Sequence, residues 1–242
     1  MRLVFLGTRA NTELRSRRHR RHSALLASSG QGTVMIDCGE DWRGRLMSIR
    51  PAAILLTHAH PDHAWGLKEG AAYPVYASAA TWQALSGLPI CERRVLAPRS
   101  VVTIESMTFE AFPVEHSLRC PAMGFRIMAE GIAVFYVPDV VAIIDRHAAL
   151  AGASLYIGDG ATLTRPMVRR RGKAVFGHTT VRAQLGWCAK EGVPLAIFTH
   201  CGSEIISMDS RALARALRDM ASERGLTARV AYDGMNIEPP CN

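Results

Sequence analysis

Three histidines and an aspartate fall within the six positions His58-Ala59-His60-Pro61-Asp62-His63, directly after the apolar run at 53–56. Neutral imidazole and carboxylate are the usual ligands of catalytic zinc and manganese. His58 and His60, at alternate positions of an extended tip, can point one way. Asp62 and His63, on the following turn, can address a neighbouring point in space, so the stretch suits two metal ions side by side. A single histidine is commonly a hydrogen-bonded core or surface residue, but four ligand-type side chains this close together have no such bland account.

The elements around this stretch are arranged to bring more such residues to it. Apolar runs predict strands at 3–6, 24–27, 33–36, 53–56, 74–77, 101–104, 108–114, 124–128, 132–137, 155–157 and 195–198. Turn residues at Gly30-Gln31-Gly32, Glu105-Ser106 and Glu130-Gly131 join neighbouring strands. Helices are expected from Asp62-His63 through Leu67, over 79–85, after the caps Thr179-Thr180 and after Asp209-Ser210, the last two carrying apolar stripes at helical spacing. Five strands run into histidine or aspartate: the His58 cluster, His116, Asp139, Asp159 and His200. Strand ends collect on one edge of a sheet, where loops can line a cleft. Asp37 also ends a strand, and its carboxylate can cap the loop at Gly39.

The His58–His63 motif resembles the HxHxDH signature of the metallo-β-lactamase-fold hydrolases, and the ordered strand-end residues extend the resemblance over nearly the whole chain. It implies an α/β, four-layer αββα sandwich as a single domain, 1–242, with its halves meeting near Asp139. It further implies that His58, His60 and His116 hold a first metal, that Asp62, His63 and His200 hold a second, and that Asp139 bridges them. Asp37 takes the place of the supporting residue behind the histidine loop. His/Asp ligation of two divalent ions admits Zn2+, Mn2+ or Fe. Such a pair can hold a hydroxide at neutral pH and neutralise charge on attacking and leaving oxygens, with Asp62 steering the proton of the water.

Gly177-His178-Thr179-Thr180 resembles the GHxS/T segment of the family's phosphodiesterase branch. That branch includes the transfer-RNA 3′-processing enzymes and the cyclic-phosphate phosphodiesterase of phosphonate breakdown. His178 would contact phosphate or act as general acid, assisted by helix N-terminal N–H groups; the alternative is a histidine near a cap with no catalytic task. Tyr232-Asp233-Gly234-Met235 also resembles that branch. Gly7-Thr8-Arg9 departs from its Gly-rich first turn. Relatives in the branch are commonly dimers, which implies a homodimer.

The formal charge of +8 favours anionic partners, a phosphate ester or a nucleic acid. The excess sits in two arginine-rich stretches, one within 15–21 on an expected surface loop. The other, Arg165 with Arg169, Arg170 and Arg171, lies on an expected loop before His178. Arginine can grip phosphate bidentately, although a solvated surface turn explains such runs equally well. Six cysteines without a CxxC pair predict neither a disulfide framework nor a zinc ribbon. No apolar run approaches the ~20 residues of a membrane-spanning helix, and the opening MRLVFLG is too short for a signal peptide, so a cytoplasmic location away from membranes is expected.

Three function classes fit: a dinuclear phosphodiesterase acting on a cyclic phosphate, nucleotide or RNA end; a lactonase, thioesterase or β-lactamase of the same fold; and a nucleic-acid-binding protein with a structural metal site. The second does not need the arginine clusters. The third is weakened because all seven ligand positions are filled. Many transfer-RNA processing enzymes carry a long substrate-binding arm for which this chain has no room, which favours a small or single-stranded substrate.

Overall fold

Two mixed β-sheets carry the strand ends. In the computed structural model, which describes residues 1–240, the first sheet runs in the order Asn236–Ile237, Arg2–Gly7, Ala24–Ser29, Gly32–Ile36, Ala53–Leu55, Val75–Ala77 and Arg93–Val95. The second runs Ala142–Ile143, Met107–Glu115, Ala122–Ala129, Ile132–Tyr136, Leu155–Asp159, Leu195–Thr199 and Thr227–Val230, with Val101–Ile104 also paired to Met107–Glu115. The chain passes from one sheet to the other between Val95 and Val101. The expected boundary near Asp139 is therefore misplaced: the His116 strand, although it precedes Asp139, pairs within the second sheet.

Three apolar clusters fix the layering. Leu3, Phe5, Leu25 and Ile36 of the first sheet meet Phe109, Phe125, Val134 and Ile157 of the second in a core between the sheets. Phe135, Tyr156 and Phe198 turn the other way, toward Leu185 and Cys188 of the helix Val181–Glu191 and Leu213 and Leu217 of the helix Ser210–Ser222. Met35, Ile54 and Val75 face outward from the first sheet onto Trp42, Leu46, Leu67 and Trp82. The alternation of inward and outward residues along each strand thus produces the αββα sandwich.

Strand direction then gathers the polar residues. Gly32–Ile36, Ala53–Leu55 and Val75–Ala77 are mutually parallel, as are Ile132–Tyr136, Leu155–Asp159 and Leu195–Thr199. Met107–Glu115 is antiparallel to Ala122–Ala129, itself antiparallel to Ile132–Tyr136, and so runs with the parallel set. Asp37, His58, His116, Asp139, Asp159 and His200 all sit at or just past carboxyl ends, where ligands bind in open α/β sheets. Asp37 and His200 leave their strands with φ of 62° and 51°, left-handed backbone that Asp and His tolerate better than most residues.

The basic stretch after the first strand is irregular, as expected, but it is pinned rather than loose. Arg9 is buried, donates to the carbonyls of Thr12 and Arg20, and pairs with Asp41 at 2.6 Å. Asp41 also accepts from the His22 amide and lies 3.0 Å from His22 Nδ1. Asp233 of the YDGM segment accepts from the Thr8 amide and hydroxyl and from the amides of Arg20 and Arg21. The histidines in this stretch, His19 and His22, are buried rather than displayed on the surface.

Partial burial works against the Asp41 charge, but His22 and Arg9 outweigh it and hold the carboxyl below its usual range. Its contribution is present above the ordinary carboxylate pKa and is lost as pH falls through the depressed value. We expect Asp41→Asn to destabilise the protein by about 2 kcal/mol at pH 7, as for other hydrogen bonds to charged groups, in denaturant unfolding. The gap between variant and wild type should narrow as pH falls below about 4, the ordinary range of an aspartate; a gap that stays constant to pH 3 would contradict this role.

Candidate metal centre

The histidine loop is held from behind. Asp37 Oδ1 accepts from the Thr57 amide and hydroxyl at 2.8 and 2.9 Å, and Asp37 Oδ2 lies 2.8 Å from His63 Nδ1. The Tyr136 hydroxyl reaches the same oxygen at 3.5 Å. With Nδ1 engaged, His63 presents Nε2 to the interior of the site. His58 is set similarly, Nδ1 on the Thr57 hydroxyl at 3.0 Å, and His116 has Nδ1 on the Gly177 carbonyl at 3.0 Å. Partners of this kind fix the tautomer and aim of a ligand histidine.

The free edges of these rings converge. His60 Nδ1 is 2.8 Å from His58 Nε2 and 3.3 Å from His116 Nε2. Asp62 Oδ2 is 3.0 Å from His200 Nε2 and 3.5 Å from His63 Nε2. Asp139 Oδ2 lies between the two sets, 2.7 Å from His63 Nε2, 3.4 Å from His58 Nε2 and 4.0 Å from His116 Nε2. The seven residues named from the sequence are thus brought together, as two triads sharing one carboxylate.

This donor set fits metal ions better than it fits itself. His63 Nε2, Asp139 Oδ1 and His200 Nδ1 are fully enclosed, and none takes part in a directed hydrogen bond. Burial and the neighbouring histidine His116 press the His60 pKa down to about 4, and burial likewise lowers His58 and His116, leaving neutral imidazoles with free lone pairs. Burial also opposes charge on His63 and His200, but Asp139 and the neighbouring carboxylates overcome it and raise both. Asp62 and Asp139 resist burial in turn and stay ionised through the histidines around them. Neutral nitrogens on one side and anionic oxygens on the other can hold two divalent cations.

His178 completes the floor. Its Nδ1 is 2.8 Å from Asp159 Oδ2 and 3.3 Å from Asp139 Oδ1, and its ring stacks on His200 at 5.5 Å. Asp159 is fully buried, accepts from the amides of Val140 and Ala161, and was legible in the sequence only as one more strand-end acid in a Gly-Asp-Gly turn. Burial disfavours the imidazolium of His178, yet Asp159 raises its pKa overall. The expected help from helix N-terminal N–H groups is not there. The amides of Val181 and Arg182 donate to the Thr162 and Leu163 carbonyls, and that of Ala183 to the Thr180 hydroxyl.

The arginines are placed unequally: Arg165 is on the expected irregular stretch, but Arg169, Arg170 and Arg171 are in a strand. Arg169, Arg170 and Arg171 lie in Met167–Arg171, which pairs with Ala174–His178 in a two-stranded hairpin. A cleft of about 950 Å3 opens over the metal centre; Arg165 and Arg169 line it, with Thr12 and Ser203 on another wall. Arg171 shares the Arg169 face by strand alternation but stands farther out, and Arg170 points from the opposite face. The cysteines Cys38 and Cys201 beside site residues are buried, and burial pushes both thiols far up, as expected of structural cysteines.

Gly177 ties hairpin to centre. Its amide donates to the His116 carbonyl at 2.7 Å, its carbonyl meets His116 Nδ1, and its φ is +108°. A Cβ there would stand 2.1 Å from the Met167 carbonyl oxygen. Gly177→Ala should cost about 1–3 kcal/mol of stability, the range for a residue forced into disfavoured backbone, and should disturb the His116 and His178 rings. Unfolding curves superposable on wild type would refute this.

Comparisons with known proteins agree with the geometry. A family model described as the beta-lactamase superfamily domain matches residues 33–201. A ribonuclease Z of Pseudomonas putida is 28% identical over 83% of this chain and 84% of its own length. That alignment spans 272 positions, so the relative carries segments this 242-residue chain lacks. A diphosphatase of the PhnP family superposes with a TM-score of 0.75 at 20% identity, covering 98% of this chain and 97% of its own. The short form of human tRNase Z does so with a TM-score of 0.68 at 19% identity, covering 99% and 100%. With most of the chain matched by the model and both sheets superposed on these structures, the chain belongs to the beta-lactamase superfamily domain family and has the metallo-β-lactamase fold.

Proposed function

We propose that the chain hydrolyses a phosphodiester at a two-metal centre, with His58, His60 and His116 holding one divalent ion, Asp62, His63 and His200 the other, and Asp139 shared. The chain is a metal-dependent hydrolase of the phosphodiesterase type, and its similarity to ribonuclease Z favours a nucleotide or RNA end as the substrate. The observation that carries the reading is the pair of His/Asp triads around Asp139, on the floor of a cleft edged by His178 and two arginines. Zn2+ and Mn2+ both suit this donor set, and Fe is also compatible with it.

When bound, the ions supply Lewis acidity toward phosphoryl oxygens and acidify a nearby water. The rest falls to side chains. Asp62, ionised and at the cleft wall, can accept the proton of the attacking water. His178, with Nδ1 committed to Asp159, has Nε2 left to give a proton to the departing oxygen, and Asp159 keeps the ring aimed and favours its charged form. Arg165 and Arg169, on the cleft wall, supply positive charge to an anionic substrate. Among the described residues no helix is long and apolar enough to cross a membrane.

The class is tested with bis(p-nitrophenyl) phosphate beside lactone and thioester substrates. Metal-loaded protein should turn over the diester, and stripping the metal should abolish that turnover; full activity after stripping, or turnover of acyl substrates alone, would refute the reading. His58→Ala and Asp139→Ala should lose turnover and bound metal together. His178→Ala should retain metal while kcat falls about 10²–10⁴-fold, the usual worth of a positioned general acid. Loss of metal from His178→Ala would instead place that ring among the ligands.

A further inference from the structure

The Met167–His178 hairpin is a two-stranded sheet of its own, separate from the two large sheets. Every residue of Met167–Arg171 is exposed and every residue of Ala174–His178 is half-buried, so the two strands project from the body. A two-stranded ribbon alone is marginal in water, yet this one is anchored firmly at its base. Gly177 is bonded to His116, the Thr179 amide donates to the Val140 carbonyl, and Thr162 Oγ1 lies 2.8 Å from both a Glu204 carboxylate oxygen and the Arg165 carbonyl, with its one proton to give to either. Glu204 accepts from Leu163 as well, so the carboxylate lining this side of the cleft is engaged in the hairpin's base.

Register decides which side chains share the face that carries His178, and Met167, Val168, Arg169, Phe176, Gly177 and His178 are the hairpin residues that border the cleft. Met167 is opposite His178, Arg169 opposite Phe176 and Arg171 opposite Ala174, so these six share the face that carries His178. Val168, Arg170 and Val175 occupy the other. The face that carries His178 is therefore a graded strip: His178 at the reacting centre, then the Phe176–Arg169 pair, then Arg171 at the tip. An aromatic ring beside a guanidinium, one step from a phosphate-cleaving centre, is the combination that binds single-stranded nucleotides, by stacking of the base and by charge on the backbone.

We propose that this hairpin is a nucleotide-binding arm in which Phe176 stacks on the base next to the scissile phosphate and Arg169, followed by Arg171, holds the phosphate beyond it. The proposal rests on the phosphodiesterase reading and specifies the substrate as a nucleotide or short single strand with at least one phosphate besides the one cleaved. Arg170 has the same charge as Arg169 and is its neighbour in sequence, but it takes no part.

The experiment measures binding apart from turnover: fluorescence anisotropy of a 5′-labelled oligoadenylate of eight residues, with phosphorothioate linkages to slow cleavage, with the intact metal-loaded protein. Phe176→Ala and Arg169→Ala should each weaken binding about tenfold, and Arg169→Ala should lower the salt slope by about 0.7 to 1, whereas Arg170→Ala should change affinity less than twofold. Competition by adenosine diphosphate, which carries a second phosphate, at a concentration near that of the oligomer would identify a free nucleotide as the ligand, and competition by the oligomer alone would identify a strand; both support the arm. Equal losses in Arg169→Ala and Arg170→Ala would reduce it to diffuse charge and overturn it. So would unchanged binding in Phe176→Ala, including the case where that variant instead splits a dimer on gel filtration and the hairpin proves to be a subunit contact. Failure of the metal-loaded protein to cleave any diester, with anisotropy differences intact, would count against the phosphodiesterase reading and not against nucleotide binding by the hairpin.

Discussion

Asp139 is a carboxylate with almost no contact with water, and it must stay charged. It shares its pocket with Asp62, Asp159 and, behind the histidine loop, Asp37, all buried. Isolated buried carboxylates are costly enough that they normally take up protons, so four of them where the carboxyl ends of the two sheets meet require compensating positive charge. Histidines provide part of it in the chain alone, at the cost of directing His63 and His200 nitrogens at oxygens they do not bond well. Divalent cations satisfy the same groups without that mismatch, and the rest of the architecture can be read as what is needed to hold such a set in place.

The parallel strands are the main device. A parallel pairing sends successive carboxyl ends to one edge, and each sheet has such a set, so residues as far apart as His58, Asp139 and His200 arrive within a few ångströms. The inter-sheet core of Phe, Leu and Ile side chains keeps those edges in register, because a slip of one residue would turn an inward face outward. Asp37 and Asp159 then do the finer work, each taking Nδ1 of one histidine and leaving Nε2 to the site or the cleft. Asp41 and Asp233 perform a comparable task farther out, where they fix a basic segment whose own charges would otherwise push it apart.

Much of this was legible in the sequence, for identifiable reasons. HAHPDH is dense enough in ligand chemistry to stand out, and a strand that runs into His or Asp is visible because apolar residues precede it. The αββα layering followed from the family resemblance, but the boundary between halves did not, since sheet membership depends on pairing and His116 precedes Asp139 in sequence while standing in the same sheet. The arginine hairpin was hidden because its first strand buries nothing and so shows no apolar alternation; only the Gly172-Lys173 turn and the partner strand reveal it. Asp159 was seen as a strand-end acid without a task, as its partner His178 lies 19 residues on. The used-up amides at the start of the Val181–Glu191 helix depend on contacts from Thr162 and Leu163 that no local pattern announces.

The central claim is that the two triads are one dinuclear site joined by Asp139, and calorimetric titration of the metal-stripped protein with Zn2+ or Mn2+ tests it most directly. The account predicts two ions bound per chain with a rise in melting temperature, and a stoichiometry that falls below two when Asp139 is replaced by alanine. Stripped protein that binds no ion, or an Asp139→Ala variant that still binds two with unchanged affinity, would contradict it.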